Sequence, residues 1–244
     1  MNRALLTAGI VALAGGAILF SSVPRSLAAG RPSSAPIRQG PPVLVELYQS
    51  QGCSSCPPAE ANLNAIADRP DVVALSFGVT YWDQLGWKDT FATPQFTERQ
   101  WDYARFNRLG GVATPQVWVN GRSTIVGNDG AELDRTIADA LVEGPVLTIR
   151  GDRVAVAAGR GPAGGADLWV ARYDPRTIEV PIRAGENGGR TLPHKDIVRE
   201  LVRIGHWSGE AQSFPLPPAG SPGLSIAAFL QAGRGGPVLS AAKA

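Results

Sequence analysis

Residues 43–58 read VLVELYQSQGCSSCPP, and this stretch decides the predicted fold. Residues 43–49 are a mostly apolar run rich in β-formers, which predicts a buried strand. Two prolines, Pro57 and Pro58, come after the cysteines. Proline is tolerated in the first turn of a helix, because the amides there have no helical partner. The stretch therefore predicts a strand, a short loop that carries Cys53 and Cys56, and the start of a helix.

Helices and strands alternate after the cysteines. Apolar residues at helical spacing stop at Arg69-Pro70, and residues 72–79 form a second apolar run that predicts a strand. A strand, a helix and a strand in this order form a right-handed unit with a parallel strand pair. Next come a helical stripe over residues 95–109, a hairpin that turns at Asn120-Gly121 and a closing helix that ends at Gly144-Pro145. The predicted order is β-α-β-α-β-β-α.

From residue 145 onward, short apolar or alternating runs are separated by Gly, Pro and Asp, which predicts a small, mostly antiparallel, sandwich-like domain. The runs cover residues 146–150, 154–157, 168–173, 177–183, 196–204 and 224–231. Residues 195–204 also fit helical spacing, so a helix stays open there. His194, Asn187 and Arg190 are candidates for a binding patch, although a histidine in a solvated loop is the more common case. The predicted class is α/β, with a first domain at 43–144 and a β-rich accessory domain at 145–244.

The amino terminus has the features of a secretory signal peptide. Arg3 precedes an uncharged, largely apolar run over residues 4–20, and Ser26-Leu27-Ala28 fits the small-x-small cleavage pattern. We predict a signal peptide at 1–28, a flexible tail at 29–42, and export to the periplasm or the medium. A retained membrane anchor is the alternative, and it is the only membrane contact that the sequence predicts.

Composition limits the classes of function. Of 244 residues, 44% are hydrophobic and 18% are charged, which supports a packed core rather than a disordered chain. The net charge is +2 and no lysine-rich run stands out, so nothing indicates a nucleic-acid partner. The two histidines, His194 and His206, lie far from the cysteines at a spacing that matches no common zinc site. We predict no metal and no cofactor.

The two cysteines of the chain have a spacing with a clear chemical use. The free amides and dipole of a helix start favour an anion, which is expected to lower the pKa of Cys53. The Cys53 thiolate then attacks a substrate disulfide, and Cys56, one turn away, resolves the mixed disulfide. One alternative is a structural disulfide, which stabilises so small a loop by only about 2 kcal/mol. Another is a pair of soft ligands for Cu(I).

The motif Cys53-Ser54-Ser55-Cys56-Pro57 resembles the active site of the thioredoxin superfamily. Thr114-Pro115, before a predicted strand, resembles the cis-proline of that fold. More narrowly, LVELYQSQGCSSCPPAEANL, YWDQLGWKDTFATPQFTERQWDY, GVATPQVWVNG and the downstream GENGGR resemble one family of exported bacterial thioredoxin-like proteins of unknown function. The resemblance implies a thioredoxin-like domain at 43–144 and a redox role, but no substrate.

The resemblance also implies further site residues. Pro115 is expected to pack beside the cysteines, and the backbone of Thr114 to hydrogen-bond substrate. Glu46 is the candidate for a buried acid that manages the proton of the resolving cysteine, although it lies one position further from the motif than is usual. The alternative is that the Glu46 side chain is exposed to solvent at the edge of the sheet. Trp82 and Trp87 are candidates to line a substrate groove, with structural packing as the alternative.

These observations predict an extracytoplasmic thiol-disulfide oxidoreductase that acts through Cys53 and Cys56. Its substrate would be a thiol or disulfide on a protein or small molecule, and its redox partner is not identified by the sequence. Two alternatives belong to other classes. One is a non-enzymatic thioredoxin-fold binding protein with a permanently closed disulfide, and the other is a Cu(I) chaperone.

Overall fold

The computed structural model describes residue 37 and residues 40–244. The predicted signal peptide, and the predicted tail apart from residues 37 and 40–42, lie outside this part of the chain. Within it, none of the helices is long and apolar enough to cross a membrane.

The predicted order β-α-β-α-β-β-α is confirmed for the first half of the chain, with one short 3₁₀ helix added after the second strand. The elements are β1 (Val43–Gln49), α1 (Pro57–Ile66), β2 (Val72–Gly78), the 3₁₀ helix (Thr80–Leu85), α2 (Pro94–Phe106), β3 (Gln116–Val119), β4 (Ser123–Ile125) and α3 (Gly130–Ala138).

Strand β1 is central and is covered on both faces. It pairs in parallel with β2, and antiparallel with β3. Val43, Val45 and Leu47 pack against α1 and α3, whereas Leu44 and Tyr48 point to the opposite face, where α2 packs. A strand buried on both faces has no need for alternating polar residues. This explains why β1 and β2 are mostly apolar runs in the sequence.

The second half of the chain is built from strands. They are β5 (Leu147–Arg150), β6 (Arg153–Val156), β7 (Ala166–Asp174), β8 (Ile178–Pro181), β9 (Thr191–His194), β10 (Ile197–Trp207), β11 (Gln212–Pro215), β12 (Ser225–Gln231) and β13 (Val238–Lys243). The alternative of a helix over residues 195–204 is wrong, because β10 pairs along its length with β7. Sequence analysis missed β9, β11 and β13, which are short or poor in β-branched residues.

The two halves share one sheet. Its eight strands run in the order β13-β12-β7-β10-β2-β1-β3-β4, and the three-stranded sheet β11-β6-β5 packs on the carboxyl-terminal part. The predicted antiparallel layers are therefore present, but the larger layer continues the sheet of the first half instead of standing apart. The join is narrow, since Ile197 pairs with Ser76 and the Ser76 N–H donates to Asp196 O at 2.9 Å. It covers the edge of β2 that would otherwise be unpaired.

Candidate functional site

Cys53 and Cys56 form a disulfide in the loop between β1 and α1. Cys56 is the N-cap residue of α1 and Pro57 is the first helical residue, so the predicted helix start is confirmed. Each cysteine has at most 1% of its surface exposed, whereas Ser54 and Ser55 between them are exposed. The tip of the loop therefore faces solvent while the disulfide itself is closed off.

Residues 185–190, which we call the cap segment, are fastened onto this loop. The backbone N–H and the hydroxyl of Ser54 both donate to Glu186 Oε2, at 3.0 and 2.7 Å. Asn187 is fully buried, and its Nδ2 donates to the carbonyl oxygens of Gln51 and Cys53, at 2.9 Å each. Arg190 Nη1 donates to Asn187 Oδ1 at 2.6 Å. The cap segment thus satisfies polar groups of the cysteine loop that would otherwise be unpaired.

Two glycines and one carboxylate allow the cap segment to adopt its turn and to bind the cysteine loop. Gly185 and Gly189 have φ angles of +73° and +82°, which side chains other than glycine rarely adopt. Gly185 also packs closely, because a Cβ there would lie 3.2 Å from the Cβ of Trp87. The hydrogen bonds from Ser54 hold the pKa of Glu186 below its usual value. The Glu186 side chain is therefore ionised, and it is the charged form that accepts both bonds.

Two tryptophans and Thr114 also lie against the loop. Trp82 Nε1 donates to Thr114 Oγ1 at 2.7 Å, and Trp87 Nε1 donates to the side-chain oxygen of Gln51 at 2.9 Å. Ser55 Oγ donates to Thr114 O at 3.4 Å. The Thr114-Pro115 peptide bond is cis and Pro115 is buried. The structure thus brings Trp82, Trp87 and Thr114 to the loop, and their contact with substrate stays a prediction.

Glu46 is buried in the centre of the sheet, so its alternative placement at an exposed edge is wrong. Its carboxylate accepts from Arg99 Nε at 2.7 Å, from the Tyr48 hydroxyl at 3.3 Å and, in a short contact, from the Tyr103 hydroxyl. These groups lie on the side of the sheet that packs against α2, opposite to α1. The proposed role of Glu46 in handling the proton of Cys56 stays a prediction, and the described contacts of its carboxylate are with other residues.

A second buried acidic group, which pairs with His194, was not predicted from the sequence. The preference for a solvated loop histidine is wrong, because His194 is buried and its Nδ1 pairs with the carboxylate of Glu60 in α1. Burial is the largest single effect and lowers the pKa of His194. The charge and hydrogen bond of Glu60, together with the charges of Asp89 and Glu179, outweigh it and raise the pKa above its usual value. Asp89 lies close by, and it accepts the backbone N–H groups of Gln51 and Phe91 at 2.8 Å each.

The spacing of residues in α1 does indicate that Glu60 is buried. Glu60 follows Cys56 by four positions and precedes Leu63 by three, so it lies on the apolar face of α1. A carboxylate at such a position is costly to bury unless it has a partner. The partner, His194, is distant in the sequence, and local patterns do not identify it.

A cleft of about 720 Å³ opens beside the loop, between α1 and the β8–β9 hairpin. Its α1 side presents Pro57, Pro58, Ala61 and Ala65, and Ser54 lies at its margin. The opposite wall carries charges of both signs. These are Arg190, Lys195 and Glu179. The cleft leads from solvent to the edge of the cysteine loop and to Glu60, which also lines it.

Comparison with known proteins identifies the family. A family described as a protein of unknown function, DUF1223, matches residues 44–231. The chain belongs to this family. The DUF1223 match includes the cysteine loop, the cap segment and His194, so the whole site lies within it. A crystal structure of a protein from Agrobacterium tumefaciens, determined as a structural genomics target, is 31% identical with a TM-score of 0.70. The similarity covers 84% of this chain and 95% of that one. No curated protein matches the chain.

The closed disulfide of this DUF1223 protein leads to a prediction about the cap segment. Glu186→Ala removes the acceptor of both Ser54 bonds, so we expect the cap segment to open more often and dithiothreitol to reduce the disulfide several-fold faster. The measurement is the rate at which alkylation of the freed thiols adds mass. Glu210→Ala removes an exposed carboxylate outside the site and serves as the control. Equal rates for the two variants would show that the Glu186 bonds do not hold the cap segment closed.

Proposed function

We propose that this protein is a thioredoxin-like thiol-disulfide oxidoreductase in which Cys53 and Cys56 alternate between a disulfide and a dithiol. The observation that carries the proposal is the disulfide at the first turn of α1, directly after the buried strand β1. The dipole and free amides of a helix start stabilise a thiolate at Cys53 once the disulfide is reduced. A stabilised thiolate is both a good leaving group and the attacking species in disulfide exchange.

The surroundings of the loop support the thioredoxin-like assignment of residues 43–144. The strand order β2-β1-β3-β4 has β1 and β2 parallel, with α1 and α3 on one face and α2 on the other. The cis Thr114-Pro115 bond lies just before β3, and the Thr114 carbonyl accepts from Ser55 in the loop. This placement supports the expectation that the Thr114 backbone binds a substrate chain.

The exchange itself needs two thiol groups on the substrate. In the oxidising direction, a substrate thiolate attacks Cys53 Sγ, the bond between Cys53 and Cys56 breaks, and Cys56 leaves as a thiolate. A second substrate thiolate then attacks the mixed disulfide and releases Cys53. Two electrons pass from the substrate to the protein, and a second dithiol-disulfide protein must remove them to restore the starting state. The reverse sequence reduces a substrate disulfide.

Access to the disulfide requires the loop to open, because neither cysteine is exposed in this structure, and we propose that the cap segment, which is hydrogen-bonded to the loop, is the part that moves. The cleft beside Ser54 is the open approach to the loop, and its prolines and alanines offer an apolar surface to a bound chain. We place the reaction outside the cytoplasm. The sequence of the amino terminus predicts export, and disulfides persist in that environment.

The reduction potential tests the proposal against its main rival, a binding protein with a permanent disulfide. We expect a potential between about −120 and −270 mV, the range of dithiol-disulfide oxidoreductases, together with turnover of a cysteine-bearing model peptide. Equilibration with glutathione or dithiothreitol buffers measures the potential. A double variant with both cysteines replaced by alanine gives the background rate. A potential below about −300 mV without turnover would contradict the proposal and favour a structural disulfide.

A further inference from the structure

Reduction of the buried disulfide raises a problem of proton supply. Cys56 is 1% exposed and lies below the surface of the loop. When two electrons break the bond, Cys56 leaves as a thiolate, and an unprotonated thiolate in a site shielded from water is unfavourable unless it gains a proton or a charge partner. A buried titratable group close to Cys56 would supply that proton. The inference below rests on the exchange reaction proposed above.

Glu60 is the ionisable side chain of α1 that is positioned for this task. It follows Cys56 by four residues, and its N–H donates to Cys56 O at 3.1 Å. Side chains four positions apart lie on the same face of a helix, so the Glu60 carboxyl and the Cys56 sulfur share the buried face of α1. The Glu60 side chain is 4% exposed, yet it also lines the cleft beside α1. Glu60 therefore belongs both to the buried face of α1 that carries Cys56 and to the lining of the cleft.

His194 is a second proton-binding group, and it is paired with the Glu60 carboxyl group. The Nδ1 atom of His194 is hydrogen-bonded to the Glu60 carboxylate, and no part of the His194 side chain is exposed. The other ring nitrogen, Nε2, is buried and has no hydrogen-bond partner within the described part of the chain. Packing alone does not account for an unpartnered polar atom on a buried histidine, because an apolar residue of similar size would avoid that penalty.

We propose that the Glu60–His194 pair is the internal proton donor and acceptor for the Cys56 thiol. On reduction, the Cys53–Cys56 bond breaks and the pair transfers a proton to Cys56 Sγ. On oxidation, the pair takes this proton back, and the Cys56 thiolate attacks Cys53 Sγ in the mixed disulfide and expels the substrate thiolate. The pair exchanges the proton with water through the cleft. Glu60 transfers the proton to and from Cys56, and His194, which acts through Glu60, positions the carboxyl group and binds the proton that the pair retains.

The charges around the pair favour a bound proton. Asp89, from the segment before α2, and Glu179, from β8, act on His194 with negative charge in addition to that of Glu60. Cations also lie on this side. Arg190 and Lys195 line the cleft together with Glu60, and Arg199 of β10 lies 4.5 Å over the ring of Phe91, which packs edge-on against His194. The net effect raises the pKa of His194 above its usual value, which favours a proton bound to the pair. Glu46 has no such access, because its carboxylate is held by Arg99 on the opposite face.

The test is the pH profile of mixed-disulfide resolution in Glu60→Gln. The mixed disulfide between Cys53 and glutathione is formed first, and release of glutathione by Cys56 is followed between about pH 6 and pH 9. We expect resolution to slow by about 10²-fold at neutral pH, the usual contribution of a positioned base. The deficit should shrink toward the free thiol pKa of about 8.5, because Cys56 then ionises without help. Glu60→Asp should restore part of the rate.

A purely structural role would give a different result. It would slow resolution by the same factor at every pH, and that outcome overturns the proposal. Glu210→Gln is the control, since Glu210 is an exposed carboxylate outside the site, and we expect less than about a two-fold change.

A measurement on the unmodified protein covers the case in which Glu60→Gln fails to fold. The titration of His194 is followed by NMR in the disulfide and dithiol forms, and coupling to Cys56 predicts different apparent pKa values in the two forms. Identical titrations overturn the proposal. Absence of exchange in the unmodified protein, by contrast, would overturn the oxidoreductase function itself.

Discussion

Cys53→Ser is expected to reduce disulfide exchange to the background rate, whereas Cys56→Ser is expected to accumulate a mixed disulfide at Cys53. The difference follows from the order of the two steps, since Cys53 forms the bond with substrate and Cys56 releases it. Mass spectrometry after incubation with oxidised glutathione distinguishes the two results. Both variants should remain folded, because closing so short a loop contributes only about 2 kcal/mol to the free energy of unfolding.

The two single variants are controls for each other, since each removes one sulfur atom and one disulfide. If both formed mixed disulfides equally, the assignment of Cys53 as the attacking thiol would be wrong. If neither did so even after Glu186→Ala opens the cap segment, the cysteines would have a structural role.

Arg99→Met is expected to lower the free energy of unfolding by about 3–5 kcal/mol, the usual effect of removing one partner of a buried ion pair. Arg99 Nε donates to Glu46 at 2.7 Å, and its guanidinium group also lies 4.8 Å over the ring of Phe229. Methionine fills much of the same space but leaves the Glu46 carboxylate buried without its counter-ion. Urea unfolding followed by circular dichroism measures the change.

The double variant Glu46→Gln with Arg99→Met is the matched control, because it removes both charges. We expect it to be more stable than Arg99→Met alone, since no ionised group is then left unpaired in the core. A double variant that is less stable than the single variant would show that the lost packing of Arg99, not the unpaired carboxylate, sets the cost.

Local patterns in the sequence were sufficient to predict much of the first half of the fold. Strand β1, the start of α1 at Pro57 and the hairpin turn at Asn120 and Gly121 each depend on residues that are close together in the chain. The join between β10 and β2 was not predictable in this way. It depends on a pairing between Ile197 and Ser76, and the sequence carries no local mark of which strand will cover the edge of β2.

Some residues of the candidate site were likewise predictable from local patterns, and others were not. The spacing of Cys53 and Cys56 predicts their disulfide, and Trp82 lies beside the loop because it belongs to the short 3₁₀ helix that follows β2. Glu186 and His194 could not be placed from local patterns, because their partners, Ser54 and Glu60, lie far earlier in the chain. Whether such polar residues are solvated or buried is decided by tertiary contacts.

Ser54 and Glu186 are 132 residues apart in the chain, so the cysteine loop is synthesised long before the cap segment that covers it. A chain that is synthesised from its amino end presents both thiols on a bare loop well before residues 185–190 have been made. The oxidation state that the thiols acquire in that interval is then enclosed when the later residues fold over them. We therefore expect the oxidation state of the folded protein to change slowly, at a rate set by the opening of the cap segment.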